Sequence, residues 1–287
     1  MAPLLPLLLL ILLAAADTIL ASCSNATCAG LNISYPFWLN SSGSDNCGYP
    51  GLGLACENNT SLILFVQSHR YRVTGIDYIK HTVAVSDTDA GDEEYGAGCP
   101  RLHWNLTIDY TSSWLQLAPS DSNITILYNC KKNISSSYAV ELSACRGRYG
   151  SKWSYVLRDG AATGTEAYEH ECEEVVVAPV LGVHKVGMMD APDGIPPSTN
   201  GTFGPAGVVE AGFELMYHAH SEQCDGCESS GGWCGYQRNG SADGVLTFTC
   251  FCDGGPTSGR CGAYASSSPR ITSTSLWLSV DSRFRIR

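Results

Sequence analysis

Positive charge is scarce in this sequence: 17 Lys and Arg stand against 28 Asp and Glu, a net charge of −11. That shortage argues against nucleic acid as a partner, because a phosphate backbone is gripped by stripes of basic side chains. Long apolar runs are also missing. The longest, Leu4 to Ala16, falls short of the roughly 20 residues that carry a helix across a bilayer. Helical periodicity is nearly absent, which leaves little room for an α-helical architecture. The nucleotide-binding and kinase signatures are absent too. Gly51-x-Gly53 lacks a third glycine and a following helix, with Cys56 standing where that pattern would continue, and no Asp-Phe-Gly occurs. The histidines fit no Ser/His or Cys/His arrangement. His218 and His220 alternate as a metal pair would, yet no third ligand accompanies them. Asp87, Asp89, Asp92, Glu93 and Glu94 read as a solvated loop before a calcium site. The expectation is no catalytic residue, no metal and no cofactor.

What the sequence does have points outside the cell. Leu4 to Ala16 closes on Ala14, Ala15 and Ala16, as the core and cleavage zone of a secretory signal do, so residues 1–21 are expected to be a signal peptide cut after Ala16 or Ala21. All 14 cysteines lie beyond it: Cys23, Cys28, Cys47, Cys56, Cys99, Cys130, Cys145, Cys172, Cys224, Cys227, Cys234, Cys250, Cys252 and Cys261. An even set behind a signal peptide reads as a disulfide framework, and Cys224-x2-Cys227 as part of it before half a zinc site. Glycosylation sequons stand at Asn25, Asn32, Asn40, Asn58, Asn59, Asn105, Asn123, Asn133, Asn200 and Asn239. The predicted location is extracellular.

Short runs of β-branched and aromatic residues predict strands: Leu62–Val66, Tyr71–Ile79, His81–Val85, Trp104–Asp109, Ile124–Tyr128, Tyr138–Leu142, Trp153–Leu157, Val175–Val177 and Phe213–Tyr217. The fold class is therefore all-β and disulfide-rich, two small cysteine-stapled β modules with long loops. Six cysteines precede residue 131 and eight follow residue 137, so each set could close on itself. That places a module at 22–134, a second at 138–262 and a Ser-rich disordered tail at 263–287. The acidity divides at the same place: residues 22–150 hold 8 Lys/Arg against 11 Asp/Glu, residues 151–262 hold 5 against 15. Residues 186–207, rich in Gly and Pro, read as a loop outside the core. The last six cysteines, ending Cys250-x-Cys252-x8-Cys261, are EGF-like in style.

Several ordered motifs resemble a known family. Cys23-x4-Cys28-Ala-Gly, Ile33-Ser-Tyr35-Pro36-Phe37-Trp38, Cys47-Gly48-Tyr-Pro50-Gly-Leu-Gly53-Leu-Ala-Cys56 and Tyr71-Arg-Val73-x-x-Ile76 resemble the galacturonan-binding module of plant wall-associated receptor kinases. Cys99-Pro100 and Leu127-Tyr-Asn-Cys130 continue that pattern. Gly212-Phe213-x-Leu215, Cys224-x2-Cys227, Ser230-Gly-Gly-Trp-Cys234-Gly-Tyr236 and Phe248-Thr-Cys250-Phe-Cys252-Asp-Gly254 are similar to their C-terminal module. The tandem is similar to the ectodomain of leaf-rust-resistance-locus-type receptor-like kinases.

The resemblance implies a non-catalytic ectodomain that binds cell-wall pectin or oligogalacturonide, in a secreted or truncated form without the family's transmembrane helix and kinase. A polyanion is repelled by a protein this acidic, so its contact is expected on the nearly balanced first module. Arg70 and Arg72 share a strand face there, Lys80 adds a third cation, and Tyr35 and Trp38 offer rings for sugar faces. Lys131, Lys132, Arg146 and Arg148 are the other local cations. The alternative reading is a soluble co-receptor or decoy that binds a peptide or another receptor ectodomain.

Overall fold

A computed structural model describes residues 25–40, 48–91, 99–100, 102–103, 105–106, 108, 114–135, 137–146, 152–190, 204–219, 221–238 and 246–262. Residues 1–21 (expected as a signal peptide), Cys23, Cys47, Trp104, Arg148, His220, the sequons at Asn200 and Asn239 and the tail 263–287 lie outside the described residues.

Strands dominate. A two-stranded ribbon, β1 (Ala26–Cys28) with β2 (Leu31–Ile33), opens the chain. β3 (Trp38–Leu39), β4 (Gly53–Glu57), β5 (Ser61–Val66), β6 (His69–Asp77) and β7 (Thr82–Asp87) then build most of a seven-stranded sheet. Its order is β3-β4-β5-β6-β7-β13-β8, with β8 at Leu115–Leu117 and β13 at Phe213–Tyr217. All pairings are antiparallel except β3 with β4. A four-stranded antiparallel sheet holds β9 (Asp121–Cys130), β10 (Ala139–Glu141), β11 (Trp153–Leu157) and β12 (Glu174–Leu181) in the order β10-β11-β9-β12. β14 (Trp233–Arg238), β15 (Leu246–Cys252) and β16 (Gly255–Thr257) make a small third sheet.

Each sheet follows from its residues. Alternation is strict in β6, where Tyr71 and Val73 are buried while Arg70, Arg72 and Thr74 are exposed, as a half-buried strand requires. β9 and β11 lose that alternation because both faces of their sheet are covered. Ile124, Ile126, Tyr128, Val156 and Val176 enter one apolar cluster, whereas Leu127, Tyr155 and Leu157 enter another. Among the described residues four short helices fill the gaps: α1 (Thr163–Glu169), α2 (Gly182–Asp190), α3 (Pro205–Ala211) and α4 (Glu222–Glu228). The Ser221 hydroxyl caps α4 by accepting from the Cys224 N–H, and Glu222 and Asp225 in the first turn suit its dipole.

Two expectations are corrected here. Residues 186–207 are not all loop: residues 186–190 belong to α2 and 205–207 to α3, and Met188 is buried in the second cluster. The two cysteine sets do not close on themselves either. Among the described residues the bridges are Cys28–Cys56, Cys99–Cys145, Cys130–Cys172, Cys224–Cys234, Cys227–Cys250 and Cys252–Cys261. Cys99–Cys145 and Cys130–Cys172 straddle residues 131–137, so parity in each half was a coincidence of count.

The chain halves are joined by hydrogen bonds as well. β13 inserts between β7 and β8, pairing Phe213 with Val85 on one side and Leu215 with Leu117 on the other. Gly212 makes the entry possible. Its φ is +77°, and a Cβ there would stand 1.9 Å from the Val85 carbonyl oxygen. The chain passes from β8 in one sheet to β9 in the other through a turn held by Asp121. One carboxylate oxygen accepts from the Ala118 N–H and the other from the Glu214 N–H on β13, both at 3.1 Å.

Candidate functional site

The outward face of the seven-stranded sheet carries the predicted arginines. Period-two alternation turns Arg70 and Arg72 to solvent together, roughly 7 Å apart along β6. The register sets Phe65 of β5 opposite Arg70, and Ile63 opposite Arg72. Phe65 is 43% exposed and Ile63 only 2%, so the strip has an open aromatic beside a filled apolar floor. Arg70 is already engaged: its Nη2 donates to both carboxylate oxygens of Glu57 on β4, at 2.9 and 2.8 Å. Arg72 has no hydrogen-bond or ion-pair partner among the described residues and faces Ser86 across β7. Phe65 and Glu57 escaped the reading of the sequence. The period of β5 could have exposed Phe65, but Glu57 becomes a neighbour of Arg70 only through the β4-β5-β6 register.

The other candidates lie elsewhere. Lys80 sits in the β6–β7 turn, past the far end of the strand and more than about 20 Å from Arg70 along it. It pairs with Asp77 at 3.5 Å. Bonds from the Lys80 and Ile79 N–H groups, with the lysine charge, hold the Asp77 carboxyl below the usual range.

Tyr35 and Trp38 form a joint within the fold. The Tyr35 hydroxyl donates to Glu228 Oε1 on α4 at 2.5 Å and accepts from the Cys234 N–H at 2.9 Å. Tyr49 donates to the same oxygen at 2.6 Å, and the two rings meet edge to face at 5.7 Å. Burial first, then the bond to Glu228, pushes both hydroxyls far above the ordinary tyrosine range. Trp38 is half-buried and donates Nε1–H to the Tyr49 carbonyl. This joint seats the last cysteine cluster on the first strands of the chain.

Most remaining cations are neutralised where they stand. Lys131 and Lys132 both hold Glu171, Arg146 holds Glu141 and lies over the Trp153 ring, Lys152 holds Glu173 and Lys185 holds Asp159. The donor atoms of His69, Asp87 and Asp89 come within 4.8 Å of one another. Asp87 is occupied there, bonded to His69 Nε2 at 2.9 Å and to the Asp89 N–H at 2.8 Å. Asp92, Glu93 and Glu94 lie outside the described residues. His218 bonds Gln116 at 2.6 Å. All eight described sequon asparagines, Asn25, Asn32, Asn40, Asn58, Asn59, Asn105, Asn123 and Asn133, are exposed.

Residues 23–87 match the family described as wall-associated receptor kinase galacturonan-binding, and residues 127–255 that described as wall-associated receptor kinase C-terminal. Over 239 residues the chain is 28% identical to the leaf rust 10 disease-resistance locus receptor-like protein kinase-like 1.2 of Arabidopsis thaliana, covering 82% of this chain and 33% of that one. It is homologous to the ectodomains of these kinases. The like 1.3 and like 2.5 relatives from the same plant are 24% and 30% identical, over 73% and 36% of this chain and 26% and 14% of theirs. The homologue thus spans a third or less of the length of these kinases. No solved structure matches it. No helix among its described residues is long and apolar enough to cross a membrane. The galacturonan-binding match ends where β7 ends, so the arginine strip on β4–β7 lies wholly inside it.

Proposed function

We propose that this chain is a non-catalytic, extracellular pectin-binding ectodomain of receptor-kinase type. Its contact for galacturonan is the outward face of β5 and β6. One observation carries the reading: Arg72 is exposed without a carboxylate partner among the described residues, beside the open ring of Phe65, inside the segment that matches the galacturonan-binding family. A guanidinium takes a galacturonate carboxylate in a fork of two N–H donors, and the aromatic ring takes the sugar face. Arg70 joins when the ligand carboxylate displaces Glu57, an exposed pair worth at most about 1 kcal/mol. Few free cations contact the polymer, so binding is weak per site and salt-sensitive.

Retention of the secreted chain on a pectate gel tests this. The wild type is retained at low salt and elutes as salt rises. Arg72→Ala lowers affinity about tenfold, the loss expected for one charge-assisted hydrogen bond. No retention at low salt, with or without calcium, overturns the proposal.

A second reading, docking onto another receptor ectodomain, is favoured by the β6–β7 tip. Ile79 is 95% exposed there, while Asp77 Oδ1 holds the turn and the Tyr78 hydroxyl is fixed to the Ser34 N–H at 2.7 Å. Ile79→Asp abolishing a protein contact while leaving pectate retention intact would select this reading.

A further inference from the structure

The last cysteine cluster holds two disulfides in contact. Cys227 on α4 is joined to Cys250 on β15, and Cys252 on β15 to Cys261 beyond β16. The Cys250 sulfur lies 3.7 Å from that of Cys252 and 3.8 Å from that of Cys261. Gly232 permits the crowding: a Cβ there would stand 2.5 Å from the Cys261 sulfur, 2.6 Å from Cys250 and 2.9 Å from Cys227. Access to the two bridges differs. Cys227 and Cys250 are fully buried, whereas Cys252 and Cys261 are half-buried. A disulfide is opened by thiolate attack on sulfur, at a rate set by access and by the position of the attacking thiol. The accessible bridge therefore opens first, and its sulfurs are released against the buried one.

We propose that the two bridges form a thiol–disulfide relay. A low-molecular-weight thiol opens Cys252–Cys261, and the Cys261 thiolate then displaces Cys227 from Cys250. In the first step two molecules of RSH supply two electrons and leave as RSSR, and Cys252 and Cys261 become thiols. In the second, Cys261 gives its proton to solvent and its sulfur bonds to Cys250. The Cys227–Cys250 bond breaks, and Cys227 leaves as a thiolate that takes a proton back. That step conserves both disulfides and electrons. Cys261 is the attacking group because Cys252 sits two residues from Cys250 on one strand, where its pairing with Gly255 of β16 restrains it. Cys261 lies in the turn that follows β16. The consequence reaches the joint: Cys227 precedes Glu228, the carboxylate that binds Tyr35 and Tyr49. A thiol acting at the outer bridge thereby loosens the hold of α4 on the first strands of the chain.

The intact secreted chain, treated with graded reduced glutathione, quenched in acid, alkylated and peptide-mapped, decides the matter. The relay yields a two-thiol species labelled on Cys227 and Cys252, with Cys250 linked to Cys261. Label on Cys252 and Cys261 with Cys227–Cys250 intact overturns it. A Cys252→Ser/Cys261→Ser double variant lacks the relay thiol, so Cys227–Cys250 should open at least about tenfold more slowly at the same glutathione concentration. An unchanged opening rate also refutes the relay.

Discussion

Replacing Tyr35 by Phe should destabilise the protein more than replacing Tyr49 by Phe, although both hydroxyls donate to the same carboxylate oxygen. Tyr49→Phe removes one charge-assisted bond and leaves Glu228 with Tyr35, a loss of about 1.5 kcal/mol. Tyr35→Phe removes the matching bond and also strands the Cys234 N–H, which belongs to a fully buried residue. An unsatisfied buried donor adds about 1–3 kcal/mol, for a total near 3 kcal/mol. At 2–4 °C per kcal/mol for a chain of this size, the melting midpoint should fall by roughly 6–12 °C for Tyr35→Phe and roughly 3–6 °C for Tyr49→Phe. Calorimetry and urea titration with disulfides intact would read both. The double variant should fall short of the sum, because the two bonds share Glu228. Equal losses, or a larger loss for Tyr49→Phe, would refute the claim that Tyr35 holds the joint through two partners.

Other consequences are open to test. Burial pushes the Asp121 carboxyl from the ordinary 3.8 up to about 6. The folded state therefore holds its proton more tightly than the unfolded one. Stability is gained as pH falls from about 6 towards 4, and lost as pH rises through the same window. With the group half exposed, a discounted gain of about 1 kcal/mol is expected. Urea midpoints at pH 4.5 and 7 should show it in the wild type and not in Asp121→Asn. Gly212→Ala puts a methyl against the Val85 carbonyl at positive φ, and should cost at least about 3 kcal/mol by forcing β13 out of register. Loss of folded protein on expression would report it, and a normal yield with an unchanged melting point would contradict it.

Much of this fold was legible because its strands obey the period of two. Tyr71, Val73 and their exposed neighbours Arg70 and Arg72 were readable as one strand with two faces, and the paired arginines came with it. The helices were not legible. Among the described residues none exceeds nine residues, too short for an apolar stripe to repeat. β8 is three residues long, and its place beside β13 depends on a pairing partner almost 100 positions away. Local pattern carries no information at that range.

Tyr35 and Trp38 show the same limit at the site. An aromatic next to a turn motif is equally consistent with a sugar platform and with a joint, and the partner that holds Tyr35 in the joint, Glu228, is 193 residues distant. The charge argument concerned sums instead of single contacts. Under the proposed function, a protein of net charge −11 would meet a polyanion where the local balance is positive. The structure leaves few such places, since Lys131, Lys132, Lys152 and Lys185 each close on a carboxylate within the chain. What distinguishes Arg72 is therefore not its own charge but the absence, among the described residues, of a neighbour that cancels it. That property belongs to sheet register: β7 sets Ser86 across from it and β5 sets Ile63. A strand slipped by one residue would turn both arginines inward, so the same pairing that builds the core also fixes the face proposed to meet a polyanion.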